Sequence, residues 1–535
     1  MKRMLLLGDE AIAQGALDAG LSGVYAYPGT PSTEITEYIQ RSQTARERGV
    51  HSDWSANEKT AMEAGLGMSY AGKRAMVCMK HVGLNVAADG FINAGITGAN
   101  GGLLVLVADD PSMHSSQNEQ DSRYYGKFAL VPILEPSNQQ ETYEAAAYAF
   151  HLSEKYGTPV MVRITTRLAH SRAGVDLSEV KPENELRLPS DKRQFVLLPS
   201  IARRNYQSLL GKQAAFEEES EASPFNKYID AEDRSLGVIA CGIGYNYLME
   251  NYPEGCPHPV LKISQYPAPR NLVKKLLDEC DRVLILEEGA PFLEEQIRGL
   301  MDASFNILGR LDGTVPRAGE LNPNIVAKSL GREITITEGK SEIVRPRPPE
   351  LCPGCPHIDS YNALNQAISE LEPGRVFSDI GCYTLGALEP FNAINSCVDM
   401  GASITMAKGA ADAGLFPAVA VIGDSTFTHS GMTGLLDAII ENSPITVMIV
   451  DNETTGMTGG QTSSARGRIE DICAGLGVPK EHIRVVEPLK KYHDENVAMI
   501  KEELFYKGVS VIIERRECIQ TLKISRKLAK EVESK

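Results

Sequence analysis

The sequence predicts an α/β protein built from three doubly wound units, and three observations carry that prediction. Short apolar runs alternate with longer segments of helical apolar spacing along most of the 535 residues, the pattern of strands joined by crossover helices. The apolar runs end, one after another, in Gly, Pro, Asp or Asn, the turn chemistry of a sheet's carboxyl edge. The alternation breaks twice, in the polar stretches between 171 and 235 and in the proline-rich EIVRPRPPELCPGCPH at 342–357. Units over 1–180, 181–340 and 341–535 are therefore expected, the second beginning with a linker.

A formal net charge of −16 disfavours a nucleic-acid partner or an anionic membrane surface. The apolar run in MKRMLLLGDE is too short for a signal-peptide core, and no 18-residue apolar stretch follows, so a cytoplasmic location is expected. Ten cysteines are too sparse for a secreted disulfide scaffold, which leaves metal or redox use.

In chain order, MLLL at 4–7 reads as a strand feeding GDEAIAQGALDAG, whose small residues predict a helix packed closely on a sheet. VYAYPGTPSTEI at 24–35 is a strand broken by Pro28, Gly29 and Pro31, with Ser32 or Thr33 placed to cap a helix beginning at Glu34. WSANEKTAMEAGLGMSYAG at 54–72 predicts a helix with Glu58 near its start. AMVCMKHVGLNVAAD reads as strand, loop and helix, which puts His81 and Asn85 in a loop, and GGLLVLVADDP at 101–111 reads as a buried strand. The runs at 181–194 and 217–224 read as linker and solvated helix. LGVIACGIGYNYLMEN, PVLKISQYPAP and DRVLILEEGAPFLEEQIRGL then supply the second unit. The tail from Arg515 carries seven Lys/Arg against three Asp/Glu and reads as a solvated helix or, alternatively, a dock for an acidic partner.

The third unit holds the most informative stretch, residues 421–461. AVAVI ends in Gly423-Asp424-Ser425, a helical segment follows, and ITVMIV ends in Asp451-Asn452. The 28 positions from Gly423 to Asp451 suit a strand–helix–strand crossover, which brings Asp424 and Asn452 to one carboxyl edge, where a hard cation such as magnesium with a diphosphate fits. An ordinary doubly wound fold with Gly and Asp at its turns is the alternative. The stretch resembles the GDG(x)nNN signature of thiamine-diphosphate enzymes, with Ser425 for the second Gly and Asp451 for the first Asn. That resemblance makes Asp424, Asn452 and the Thr454 carbonyl magnesium ligands, with Gly423 and Ser425 beside the cofactor.

GDEAIAQGALDAG, AYPGTPSTEI, WSANEKTA, MKHVGLNVAAD, SSQNEQDSR, LCPGCPH, SDIGCYTLG, DMGASITMAKG and TGGQ together resemble the large (alpha) subunit of the indolepyruvate ferredoxin oxidoreductases, in the 2-oxoacid:ferredoxin oxidoreductase superfamily. The resemblance implies three units of the thiamine-diphosphate-binding type: a pyrimidine-binding domain, a transketolase-C-like domain and a diphosphate-binding domain. It also implies a smaller beta subunit, coenzyme A, a 2-oxoacid substrate, and ferredoxin or another external electron acceptor. Many members carry two CxxCxxCxxxC runs at the C-terminal side; the 535 residues contain neither, which leaves the acceptor open.

Carried over residue by residue, the resemblance makes Glu58 the glutamate that drives the cofactor's pyrimidine tautomer; a helix-start Glu favoured by the dipole is the plain reading. Arg123 matches a substrate-side arginine suited to a carboxylate, with a structural salt bridge as alternative. Thr30 matches a pocket threonine, with loop capping as alternative, and Gly381 falls in the cofactor loop. Cys352, Cys355, Cys382 and Cys518 match the ligands of one [4Fe–4S] cluster. The same spacing fits zinc, or free thiols. His81, His114 and His429 and Asn85 are expected in loops and take no assigned role.

Overall fold

A computed structural model describes residues 3–191, 193–300, 306–334, 343–345, 350–371, 374–397 and 399–524. Part of the proline-rich boundary and the tail beyond Ile524 lie outside the described residues. The chain divides into two compact units, Met1–Gly339 and Lys340–Lys535.

Among the described residues the first unit contains one two-stranded sheet and two large sheets. One runs in the order Gln265–Tyr266, Ile133–Leu134, Val160–Thr165, Leu103–Asp109, Ala75–Lys80 and Gly23–Ala26, parallel except for Gln265–Tyr266. The other runs Ile307–Leu308, Val283–Leu286, Gly237–Cys241, Val260–Ile263 and Lys227–Ile229, with only the last antiparallel. Side chains alternate across a strand. Leu104 and Leu106 therefore enter one core with Ile12, Val162, Val238 and Leu286, while Val105 and Val107 enter another with Phe91, Met161, Ile239 and Ile285. Each core takes residues from both sheets, so the boundary expected at 180/181 falls between two sheets of one compact unit. Strand Arg3–Leu7 joins neither; it pairs antiparallel with Arg172–Asp176.

Two local expectations need correction. No loop separates the strand Ala75–Lys80 from its helix: His81–Thr97 starts directly, so His81 and Asn85 are helical. The helix after the YPGTPS loop begins at Thr33, and its hydroxyls serve the loop rather than the helix. Ser32 Oγ donates to the Gly29 carbonyl at 2.8 Å, and Thr33 Oγ1 accepts from the Gly29 amide at 3.0 Å.

The second unit is built on a six-stranded parallel sheet in the order Ser396–Cys397, Val376–Ser378, Ala418–Gly423, Ile445–Asp451, Ser510–Arg515 and Ile483–Val486, and Thr454–Thr455 and Gln461–Thr462 form a separate antiparallel pair. Ala420, Ile422, Val447 and Ile449 face one core; Val419, Val421, Met448 and Val450 face the other. From Val376–Ser378 the chain first goes outward to Ser396–Cys397 and then back across to Ala418–Gly423. The strand order thus reverses between Val376–Ser378 and Ala418–Gly423. A reversal of this kind opens a crevice beyond the strands' carboxyl ends. Among the described residues no helix is long and apolar enough to cross a membrane.

Candidate functional site

In the second unit the strand reversal puts Asp379-Ile380-Gly381-Cys382 beside Gly423-Asp424-Ser425, since Ser378 pairs with Val421 and Gly423 with Val450. Ser425 Oγ and Thr455 Oγ1 lie 2.7 Å apart and tie the loop after Gly423 to the loop after Asn452. Asp424 is 2% exposed, and among the described residues its Oδ2 has no hydrogen-bond partner. Burial first, and the neighbouring Asp451 second, push its carboxyl up to about 7. Asn452 is buried; its amide oxygen accepts from the Thr454 amide at 3.2 Å, and its amide nitrogen lies 3.3 Å from His357 Nε2. An orphaned buried carboxylate oxygen and an amide oxygen on two linked loops are hard donors that fit a magnesium ion.

The departure from the thiamine signature at Asp451 has a structural cause. Asp451 accepts from Arg515 Nε at 2.7 Å, and the Arg515 fork holds Glu470 in two contacts of 2.7 Å. Its charge is answered inside the sheet. Gly381 and Gly423 also have a local reason: an added Cβ would stand 2.3 Å and 2.5 Å from the Tyr383 ring. Tyr383 hydrogen-bonds Asp379, whose other oxygen accepts from Ser403 Oγ at 2.5 Å and the Gly401 amide at 3.2 Å. SDIGCYTLG and DMGASITMAKG are thus one assembly around a buried acid.

The four predicted cysteines converge. Burial, then the charges of Cys355, Cys518 and Cys352, push the Cys382 thiol up to about 12. Burial, Cys352 and Cys518 push Cys355 up to about 11. The Cys518 amide donates to the Asn452 carbonyl at 3.1 Å, and a Cβ on Gly456 would stand 2.9 Å from Cys382 Sγ, so the thiols border the Asn452 loop. Among the described residues no three of these sulfurs close to within 4.8 Å of one another. His357, which the sequence reading quoted in LCPGCPH without a role, links the groups: burial holds its imidazole down at about 4, hence neutral, beside Asn452.

In the first unit Glu58 opens the helix Glu58–Tyr70 behind an Asn57 cap that accepts from the Thr60 amide at 2.8 Å. It is 4% exposed and lies against Gly83, where a Cβ would stand 2.4 Å from Glu58 Oε1. Thr30 is half-buried, and its carbonyl accepts from Ser115 Oγ at 3.2 Å. Lys80, missed from sequence although it ends an apolar strand, donates to the Ser115 carbonyl at 3.0 Å. Burial lowers its ammonium pKa, with Asp110 and Glu58 opposing.

Arg123 is fully buried. It donates to Asp121, to Glu287 at 3.1 Å, and to the carbonyls of Glu288 and Ala290, each at 3.1 Å. The salt-bridge alternative fits this geometry: its fork is committed within the chain. Of the other candidates, His81 Nε2 lies 3.1 Å from the Asn118 carbonyl and Asn85 accepts from Tyr125. His114 contacts Glu320, and His429 sits in the π-helical turn Phe427–Gly431.

Residues 14–221 match the family described as pyruvate flavodoxin/ferredoxin oxidoreductase, thiamine diphosphate-binding, and residues 379–503 match the thiamine pyrophosphate enzyme C-terminal binding domain. With the α/β layout, these define a thiamine-diphosphate-type 2-oxoacid oxidoreductase subunit. The chain is 40% identical over 549 residues to the indolepyruvate oxidoreductase subunit IorA of Archaeoglobus fulgidus, covering 97% of this chain and 86% of that one. It is 40% identical over 568 residues, with the same coverage, to the subunit IorA of Pyrococcus horikoshii. It belongs to the IorA family of indolepyruvate oxidoreductase subunits. A solved 2-oxoglutarate:ferredoxin oxidoreductase from Magnetococcus marinus shares the fold at 17% identity and a TM-score of 0.50, over 62% of this chain and 65% of that one.

Proposed function

We propose that the chain is the cofactor-binding large subunit of an enzyme that converts indolepyruvate and related aryl pyruvates, with coenzyme A, to the acyl-CoA and carbon dioxide. The two electrons released pass singly to ferredoxin or another external acceptor. When bound, thiamine diphosphate supplies an acidic carbon that, once deprotonated, adds to the substrate ketone and accepts the electrons of decarboxylation.

The chain's residues divide the remaining work. The Asp424 carboxylate, the Asn452 amide oxygen and the Thr454 carbonyl hold magnesium on the diphosphate, with Gly423, Ser425 and Gly381 lining the loops around it. Glu58, buried at a helix start, holds a proton at the pyrimidine N1′ position. Thr30 donates its hydroxyl to the substrate. Arg123 positions the fold and leaves the substrate carboxylate to other groups. Cys352, Cys355, Cys382 and Cys518 hold one [4Fe–4S] cluster as thiolates; bound iron would reverse the upward push that burial gives the Cys355 and Cys382 thiols. A smaller beta subunit completes the coenzyme A site, and the enzyme works in the cytoplasm.

The observation that carries this reading is the unpartnered, buried Asp424 oxygen beside Asn452, in a segment matching the thiamine pyrophosphate-binding domain. The test is an anaerobic assay of the co-purified two-subunit complex against a panel of 2-oxoacids with coenzyme A and a one-electron dye. Aryl pyruvates should reduce the dye, the complex should contain iron, and Glu58→Gln should lower turnover by roughly 10³-fold while cofactor binding survives. An iron-free complex that reduces no dye, or full turnover by Glu58→Gln, sinks the proposal.

A further inference from the structure

The first unit carries another set of ligand-type side chains that the reading above leaves unused. Asp9 stands in the first turn of Gly8–Asp18, Glu34 in the first turn of Thr33–Arg41, and His170 closes the turn Thr166–His170. One ligand atom from each lies within 4.8 Å of the others. Asp9 is fully buried, and among the described residues neither of its carboxylate oxygens has a hydrogen-bond partner. Glu34 Oε2 is also buried and lies 3.7 Å from His170 Nε2. The arginines that neighbour the group in sequence are engaged elsewhere, Arg41 with Glu37 and Arg172 with Glu10.

Burial pushes the Asp9 carboxyl well above its ordinary range, and Glu34 and Glu10 push it further. A buried carboxylate with no counter-charge costs several kcal/mol, so something must neutralise this one. A shared proton would serve the two acids, and two helix N-termini favour acids in any case. The imidazole of His170, 3.7 Å from Glu34, can answer that acid when protonated, which still leaves Asp9 without a counter-charge. Two carboxylates and one imidazole, brought from three separate elements, make an O,O,N set suited to a first-row divalent ion. The side chains of His170 and Glu34 are 36% and 39% exposed, which gives a hydrated ion a way in.

We propose that Asp9, Glu34 and His170 form a binding site for a divalent transition-metal ion of the manganese or zinc class. Glu34 stands in the first turn of the helix Thr33–Arg41, which follows the loop at 28–32. An ion there would brace the loop carrying Thr30 against the helix Gly8–Asp18 and the turn at 166–170.

Manganese(II) is the probe, titrated into the two-subunit complex in an Asp424→Ala background, so that an ion at the diphosphate loop is not counted. One Mn2+ should bind per large subunit with a nitrogen signal from coordinated imidazole in its electron spin echo, and it should raise the thermal midpoint. Asp9→Asn and Glu34→Gln, both isosteric, should weaken binding by roughly tenfold or more, and His170→Gln should remove the nitrogen signal. Equal Mn2+ binding by the parent and Asp9→Asn, an absent nitrogen signal, or a midpoint that Mn2+ does not move would assign the pair a shared proton and overturn the metal site. None of these readouts depends on turnover, so failure here leaves the assigned reaction standing.

Discussion

Each unit has a cluster of buried acids near the carboxyl ends of its strands, and the cluster around Arg123 and the one around Asp424 and Asp379 are neutralised in opposite ways. In the first unit Arg123 and Arg163 sit among Asp109, Asp121, Glu135 and Glu287, and both also reach the Glu288 carbonyl, so acids and bases answer one another inside the chain. In the second unit, among the described residues, Asp424 has no cation, Asp379 is met by hydroxyl and amide donors, and the thiols of Cys355 and Cys382 are pushed up by burial and by neighbouring thiols. A buried charge therefore points to a ligand only where its counter-charge is missing from the chain. The same test separates Asp451, answered by Arg515, from Asp424.

The largest test of this contrast is Arg123→Met. It leaves Asp121 and Glu287 buried without their partner, and breaking a buried pair in this way costs about 3–5 kcal/mol. Thermal unfolding should show a clear loss of stability, while the folded fraction keeps its KM for the 2-oxoacid. An unchanged midpoint with a raised KM would break the comparison and return Arg123 to the substrate.

The contrast also explains what could be read from the sequence. The carboxyl-edge placement of Asp424 and Asn452 followed from two apolar runs and the spacing between them, and the parallel register of Ala418–Gly423 with Ile445–Asp451 bears it out. Family motifs picked out Arg123, but no local pattern says whether a fork faces solvent or three acids that arrive from positions 121, 135 and 287. His357 and Lys80 went unassigned because their partners are distant in sequence: Asn452 lies 95 positions from His357 and Ser115 lies 35 from Lys80. The loop predicted at His81 failed for a simpler reason. The strand end passes straight into a helix, so the turn residues the reading looked for are not needed.

Asp424→Asn comes next in size. Without ligands, removing an unanswered buried acid should stabilise the protein by about 2–3 kcal/mol above neutral pH. With magnesium and thiamine diphosphate present, the order should reverse, because only the parent gains stability from binding them. Two melting curves per protein check this. A variant destabilised in both would mean that Asp424 already has a partner and that the unit resembles the first one after all.

Glu514 lies on Ser510–Arg515, where it pairs in register with Val450, and burial pushes its carboxyl up to about 7, with Ser360 offsetting. For an acid raised in the folded state, the stabilising contribution is complete below the unfolded value near about 4.3. It falls as pH rises and is gone above the folded value. The parent should therefore lose roughly 2 kcal/mol relative to Glu514→Gln between pH 5 and pH 8. Denaturant midpoints across that range would show the two curves diverging; parallel curves would mean that a cation answers Glu514 as well.

The smallest effect should come from Asp451→Asn. Arg515 keeps its two contacts with Glu470, and its side chain is 30% exposed, so water screens much of what is lost. An asparagine at 451 can still accept from Arg515 Nε, which leaves about 1 kcal/mol or less at stake. Cofactor affinity, measured by the magnesium-dependent rise in melting temperature, should stay within about twofold of the parent, a shift of roughly 0.4 kcal/mol. A larger drop would mean that Asp451 faces the ion together with Asp424, and that its pairing with Arg515 is not what removes it from the ligand set.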